Sequence, residues 1–208
     1  WLAWSCMLGL DASSQTAENI LRTGECVLNL ASADLVPQVD KIAKTTGRRA
    51  VPLHKRALGY RFEKDKFNLA GLTPTPSVSC AAPRVLECPV QLEAKLRDAK
   101  PFAQSSAKAP IPVSAFELEV VKVHVEESLL SDTEKSYVDP DKWHPLIMSF
   151  RKFYTTGDYI HPSRLAEGNE EMYAPWKRNK LVKRFFYYLL EKNTAKFSRQ
   201  TAKPGSFY

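Results

Sequence analysis

Three hydroxyl side chains cluster near the start of the chain, in the segment Asp11-Ala-Ser-Ser-Gln-Thr16. The free N–H groups and the positive dipole end of a helix that begins here would point back at these hydroxyls. Together they can bind an anion such as a phosphate. Serine and threonine are also the ordinary N-cap residues of helices, and on local grounds capping is the more common role. Both interpretations stay open at this point.

The residues after this segment predict a short helix. Its apolar side chains share one face, which consists of Ala17, Ile20 and Leu21. Glu18 lies in the first turn and Gly24 just beyond the last turn, and these are usual start and stop signals. Buried strands are predicted on either side, at Met7–Leu10 and Cys26–Leu30. The polar segment therefore connects the end of a strand to the start of a helix.

A second helix is predicted from Asp34 to about Thr46, with Gly47 as its stop. Pro37 is compatible with this helix only in the first turn, where the missing N–H does no harm. From Arg48 to Cys88 the chain carries prolines and turn signals, and it is predicted to be irregular.

Two later segments alternate between apolar and polar residues and predict long strands. From Val90 to Arg97 the apolar residues face one way and the polar residues the other, as in a half-buried antiparallel strand. Between Phe116 and Val125 the alternation slips by one residue, which predicts a β-bulge near Val120-Val121. Bulged strands are common where a sheet curls into a barrel. His124 is on the polar phase and is expected at a solvated edge.

Motifs from the start of the chain to about residue 167 occur in a consistent order. The first are Gly9-Leu-Asp-Ala-Ser-Ser-Gln-Thr16, Glu18-Asn-Ile20 and Thr23-Gly-Glu-Cys-Val-Leu-Asn-Leu30. The later ones are Ala70-Gly-Leu-Thr-Pro74, Pro83-Arg-Val85, Glu87-Cys-Pro-Val-Gln-Leu-Glu93, Val121-Lys-Val-His-Val125, Trp143-His-Pro-Leu-Ile147 and His161-Pro-Ser-Arg-Leu-Ala-Glu167. This series resembles the FMN-binding split-barrel family, the flavin reductase-like proteins and their flavoprotein-oxygenase relatives.

The resemblance implies a β-rich α+β fold: a homodimeric, six-stranded Greek-key split β-barrel with flanking helices and FMN at the subunit interface. In such proteins the end of the first matching strand runs beside the flavin by its backbone, here Gly9, Leu10 and Asp11. The following loop and helix start hold the phosphate, here Ser13, Ser14, Gln15 and Thr16. The late region implies further residues near the flavin edge, here His161 and Arg164. An ion pair of Arg164 with Glu167 is the structural alternative.

The sequence departs from the family pattern in two places. The family often has Lys or Arg immediately before the threonine, where this chain has Gln15. A neutral amide can donate a hydrogen bond to a phosphate but lacks the charge-assisted part of that bond. The family also has two earlier strands, which are missing here, so the domain is interpreted as N-terminally incomplete.

Charge is segregated along the chain and predicts two regions. The split-barrel domain is predicted at residues 1–175 and a basic helical extension at 176–208. The net charge of +7 comes from this extension. The extension is expected to pack on the dimer or to extend into solvent. Binding to an anionic membrane surface or to RNA is the less favoured alternative, and no DNA partner is expected.

The function predicted from these features is that of an FMN-dependent oxidoreductase. NAD(P)H would be the electron donor, and a second flavin or a small molecule the acceptor. The alternative is a non-catalytic flavin-binding or interaction protein whose basic tail recruits a partner. No catalytic side chain and no metal site are predicted. The irregular spacing of Cys6, Cys26, Cys80 and Cys88 favours reduced thiols and a cytoplasmic setting.

Overall fold

The computed structural model describes residues 4–102, 112–133 and 137–164. Within these residues the strands are β1 Ser5–Asp11, β2 Glu25–Leu30, β3 Thr45–Thr46, β4 Arg61–Phe62, β5 Pro74–Thr75, β6 Arg84–Val85, β7 Val90–Phe102, β8 Val113–Val125, β9 Ile147–Ser149 and β10 Lys152–Tyr154. The helices are α1 Gln15–Thr23, α2 Val36–Ile42, α3 Leu53–Ala57 and α4 Lys66–Ala70, with 3-10 turns at Ala33–Leu35 and Glu127–Leu129. The predicted β-rich α+β class is confirmed.

The main sheet of the described residues is antiparallel and has four strands in the order β1-β8-β7-β2. This is two strands fewer than the resemblance implies. In the long β7–β8 pair, Glu93 lies opposite Lys122 and Ala94 lies opposite Val120. Val121 is therefore the extra residue of a bulge, which confirms the position predicted from the slipped alternation. A second irregularity lies between Leu96 and Asp98. Such bulges bend the strands, and the sheet curls into a half-barrel.

Helix α1 packs on the inner face of this sheet. Its side chains Ala17 and Ile20 are buried with three residues of β7 and β8, namely Ala94, Phe116 and Leu118. Leu21 is 58% exposed, so of the three residues predicted to share one face only Ala17 and Ile20 are buried. Around the helix axis, Leu21 lies about 70° from the middle of the stripe that Ala17 and Ile20 form, at the edge that faces solvent. Burial of Ala17 and Ile20 places the start of α1 directly beside the end of β1.

The second helix ends earlier than predicted. Helix α2 stops at Ile42, and Thr45 and Thr46 instead form a short parallel pairing with Arg61 and Phe62. The hydroxyl of Thr45 donates to the carbonyl of Ile42 at 2.7 Å, so this side chain binds a carbonyl at the helix end. Pro37 lies in the first turn, as predicted. Between residues 48 and 88 the structure has two short helices and three short strands, so the predicted irregularity is only partly right.

The chain divides into two compact units, one of which spans Leu2–Tyr159 while residues from Ile160 onward belong to the other. The predicted boundary at residue 175 and the basic helical extension at 176–208 lie outside the described residues. In the part of the chain that is described, no helix is long and apolar enough to cross a membrane. All four cysteines carry free thiols.

Candidate functional site

The loop between β1 and α1 is organised around the carboxylate of Asp11. Its Oδ1 accepts hydrogen bonds from the backbone N–H of Ser13 at 2.8 Å and from the Ser13 hydroxyl at 2.6 Å. The Asp11 carbonyl accepts from the N–H of Ser14 at 2.9 Å. These bonds close a tight turn at the end of β1 and direct the chain into the helix.

Ser14 is the N-cap of α1. Its backbone is extended, and its hydroxyl oxygen accepts a hydrogen bond from the N–H of Ala17 at 3.1 Å. The capping interpretation of this serine is therefore confirmed. A hydroxyl has one proton to donate in addition to the oxygen that accepts, so Ser14 can cap the helix and still donate to an anion. Capping and anion binding are compatible at this position.

The first turn of α1 offers further donors beside that hydroxyl. The N–H groups of Gln15 and Thr16, the first two helical residues, have no acceptor within a helix. Thr16 is exposed, whereas Gln15 is half-buried and donates its amide to the Oδ1 atom of Asn19 at 3.1 Å. The turn thus combines two backbone donors with the hydroxyls of Ser14 and Thr16. This is the donor set that an anion at a helix start requires.

Helix α3 brings basic side chains to the same loop. The Nζ atom of Lys55 lies 2.8 Å from the Oδ2 atom of Asp11, and the Nε2 atom of His54 lies 3.8 Å from it. Partial burial raises the pKa of Asp11, but the hydrogen bonds and charge of Lys55 and the bonds from Ser13 outweigh burial and lower it to about 2. Asp11 is therefore ionised at neutral pH, with Lys55 as its counter-ion.

Arg48 reaches α1 from the segment that follows β3. Its Nη2 atom lies 2.6 Å from the Oε2 atom of Glu18, in the first turn of the helix. The preceding residue, Gly47, lies so close to Gln15 that an added Cβ would be 3.2 Å from the Gln15 Cγ atom. The Nε atom of Arg48 is buried and has no hydrogen-bond partner among the described residues. Sequence reasoning missed Arg48 and Lys55, because neither belongs to the motif.

The end of β1 leaves space on one side and packs on the other. Leu10 packs against the core cluster under the sheet. Gly9 is on the exposed side, and no protein atom lies within 4 Å of the position that a Cβ would take there. Its partner across the sheet, Ala115 of β8, is also small. A flat group could therefore approach the backbone of β1 at Gly9, although the structure shows no steric need for glycine.

His161 and Arg164 lie in the unit that begins at Ile160. Both are exposed, and the Nδ1 atom of His161 lies 2.6 Å from the carbonyl oxygen of Pro162. Glu167, the alternative ion-pair partner of Arg164, lies outside the described residues. The predicted place of these two residues at a flavin edge stays a prediction.

A second polar cluster, at Glu93, is part of the fold rather than of this loop. Glu93 was predicted on a solvated face but is 0% exposed. It accepts from the N–H groups of Val78 and Ser79, at 2.9 and 2.5 Å. It also contacts His124 at 2.7 Å, whose side chain is only 20% exposed, so the prediction of a solvated edge histidine is wrong. The chain from Val78 to Cys88 covers this face, because Glu93 accepts from the N–H group of Val78 and the Gln91 amide donates to the carbonyl oxygens of Val85 and Cys88.

A family model for the flavin reductase like domain matches residues 5–157, which include the loop and the whole sheet. The chain belongs to the flavin reductase-like family. It is also 32% identical to the uncharacterized protein YdfE of Bacillus subtilis (strain 168) over 151 residues, which are 73% of this chain and 70% of YdfE.

Solved structures show the fold of this family member. Flavoredoxin of Desulfovibrio vulgaris (Miyazaki F) superposes with a TM-score of 0.59 at 23% identity, over 79% of this chain and 81% of flavoredoxin. An FMN-binding domain of a flavin reductase-like enzyme from Shewanella baltica OS155 superposes with a TM-score of 0.51 at 17% identity, over 76% and 74% of the two chains. The predicted split-barrel fold is thereby confirmed.

Proposed function

We propose that this flavin reductase-like protein binds FMN and acts as an oxidoreductase with NAD(P)H as electron donor. The observation that carries the proposal is the turn at Asp11–Thr16. This turn presents the hydroxyls of Ser14 and Thr16 and two N–H groups that have no acceptor within the helix, and it lies at the end of β1. The likeness to the FMN-binding domain of Shewanella baltica supports the choice of FMN. A homodimer in the cytoplasm is proposed on the family resemblance.

The residues of the loop fit a flavin phosphate. The hydroxyls of Ser14 and Thr16 and the N–H groups of Gln15 and Thr16 would donate hydrogen bonds to the phosphate. The hydroxyl of Ser13 already donates to the Asp11 carboxylate. The Nε atom of Arg48, which has no hydrogen-bond partner among the described residues, supports this proposal because Arg48 pairs with Glu18 in the first turn of α1. The backbone from Gly9 to Asp11 would run along the isoalloxazine ring.

Bound FMN would supply the redox chemistry, by accepting a hydride equivalent from NAD(P)H and delivering electrons to a flavin or small-molecule acceptor. The protein holds the cofactor by its phosphate and aligns the ring with the end of β1. No side-chain acid or base is assigned, because none of the charged groups of the loop is free: Asp11 is paired with Lys55, and Glu18 with Arg48.

A flavin titration followed by reduction tests this proposal. The protein is expected to bind FMN with saturation, and NADH or NADPH is expected to bleach the flavin absorbance under anaerobic conditions. Saturable binding without bleaching by either nucleotide would support the alternative, a non-catalytic flavin-binding protein. If neither FMN nor riboflavin binds, the assignment of the loop is wrong.

A further inference from the structure

The start of α1 has no basic side chain of its own. From Asp11 to Glu18 the only charged residues are these two carboxylates, one at each end of the loop. A phosphate bound between them would meet two like charges at short range, and repulsion would weaken its binding. The compensating cations must therefore come from other parts of the fold.

Arg48 is placed beside the loop by backbone packing. Gly47 has no side chain, so the chain passes directly against Gln15, and the next residue meets the first turn of α1. One edge of the Arg48 guanidinium donates to Glu18. The Nε–H group is buried without an acceptor among the described residues, which is an unfavourable state for a charged donor. A ligand with a free acceptor would remove this penalty.

Lys55 supplies the second cation, but it acts on Asp11. Its side chain is 15% exposed and its Nζ atom lies 2.8 Å from the carboxylate. The pairing cancels the negative charge at the first end of the loop. Arg48 does the same for Glu18 at the other end, and a guanidinium has further donors left after one such contact.

We propose that Arg48 is the cation that binds the flavin phosphate at the start of α1, while Lys55 neutralises Asp11. The inference rests on the proposed function, since it takes the flavin to bind at this loop. In the bound state one guanidinium edge stays with Glu18, and the side chain turns so that its remaining N–H groups donate to phosphate oxygens. FMN and FAD share a phosphate on the ribityl chain, whereas riboflavin has none, so riboflavin isolates the contribution of the phosphate.

The experiment measures dissociation constants for FMN, FAD and riboflavin by flavin fluorescence, with the full chain. Wild type is expected to prefer FMN over riboflavin. Arg48→Gln is expected to reduce that preference by about tenfold or more, since a charge-assisted bond is lost. The matched control is Arg49→Gln, which removes the same charge from the neighbouring residue. The Arg49 guanidinium lies over the ring of Phe62, 5.2 Å from its centroid, so the preference should not change.

Glu18→Gln provides a test of opposite sign. Removal of this carboxylate frees Arg48 and removes one of the two like charges at the loop. The variant is expected to bind FMN several-fold more tightly relative to riboflavin. The effect is limited to this size because the Glu18 charge is partly exposed to solvent. The thermal midpoint of each variant shows whether it folds. If Arg48→Gln does not fold, Glu18→Gln still tests the role of Arg48.

The outcomes separate the inference from the function on which it rests. If wild type prefers FMN and Arg48→Gln keeps the same preference, Arg48 is not the phosphate ligand and the proposed function stands. An equal loss of FMN and riboflavin affinity also overturns the role of Arg48, because the effect then does not involve the phosphate. A loss for FMN and FAD but not for riboflavin supports it. If wild type binds none of the three flavins, the proposed function itself fails.

Discussion

Two carboxylates of this protein are held in comparable ways but in different surroundings. Asp11 is the last residue of β1 and its side chain is 31% exposed, whereas Glu93 lies on β7 with its side chain fully buried. Each accepts two hydrogen bonds from a nearby turn and contacts a basic residue of another element. Each has its pKa lowered to about 2.

The difference lies in what each carboxylate holds in place. Asp11 closes a short turn next to free donors, and its basic partner comes from a small peripheral helix. The Glu93 carboxylate, which is fully buried, binds the N–H groups of the turn at Val78-Ser79 on one side and His124 of the neighbouring strand β8 on the other. A hydrogen-bonded, ionised carboxylate therefore shapes the loop before α1 in one region, and in the other it joins the turn at Val78-Ser79 to the sheet.

The largest expected effect is on stability, from Glu93→Ala. This substitution leaves two backbone N–H groups and His124 without their acceptor in a buried place, which should lower the free energy of unfolding by on the order of 3–5 kcal/mol. Urea denaturation measures it. Glu117→Ala on the exposed side of the neighbouring strand is the control, with an expected change within about 0.5 kcal/mol. Equal effects of the two substitutions would contradict the role given to Glu93.

The second prediction concerns acid stability. Burial raises the pKa of Glu93, but the N–H group of Val78, the contact with His124 and the N–H group of Ser79 outweigh it and lower the pKa from 4.5 to about 2. The stabilisation is complete above pH 4.5 and is lost as the pH falls towards 2, because the unfolded state binds the proton first. It amounts to about 3 kcal/mol. Denaturation curves for wild type and Glu93→Gln across this range should show a flatter pH dependence in the variant.

The third prediction separates two roles within the loop. Ser14→Ala removes the helix cap, so it should lower stability by about 1 kcal/mol and also weaken FMN binding. Thr16→Ala should weaken FMN binding, by about 1–3 kcal/mol, and leave the thermal midpoint unchanged, since this exposed hydroxyl caps nothing. Fluorescence titration and thermal melts measure both quantities. An unchanged FMN affinity in the double variant would refute the phosphate assignment.

The smallest expected effect is that of Gln15→Lys. A lysine at this half-buried position adds a cation at the first turn, and FMN binding should tighten by about 0.5–1 kcal/mol relative to riboflavin. The gain should be larger when Arg48 is also replaced by glutamine, because the phosphate then lacks its proposed cation. A gain of the same size for riboflavin would show that residue 15 does not face the phosphate.

Features that depend on neighbouring residues could be predicted from the sequence. The start and end of α1 were predictable, because Ser14 caps the helix and Gly24 takes the left-handed conformation that glycine allows. The bulge at Val121 was predictable for the same kind of reason, since a strand alternates with a period of two and one extra residue reverses its phase.

Features that depend on residues distant in the chain could not be predicted from the sequence. Glu93 and His124 were both expected in solvent, because they are 31 residues apart in the chain and the turn that covers them lies 14 and 15 residues before Glu93. The Arg48–Glu18 pair spans 30 residues, and nothing in the motif around Gln15 indicates it.

The sequence by itself therefore determined the two long strands with the bulge at Val121, the capped helix and, through the motifs, the family to which the chain belongs. Only the tertiary structure decided which charges meet at the loop and which polar face of β7 is buried. The physical reason is that hydrogen-bond periodicity and capping act within a few residues along the chain. Ion pairing and desolvation, in contrast, depend on distances in space. These are set only when α3 packs against the end of β1 and the segment after β3 packs against α1.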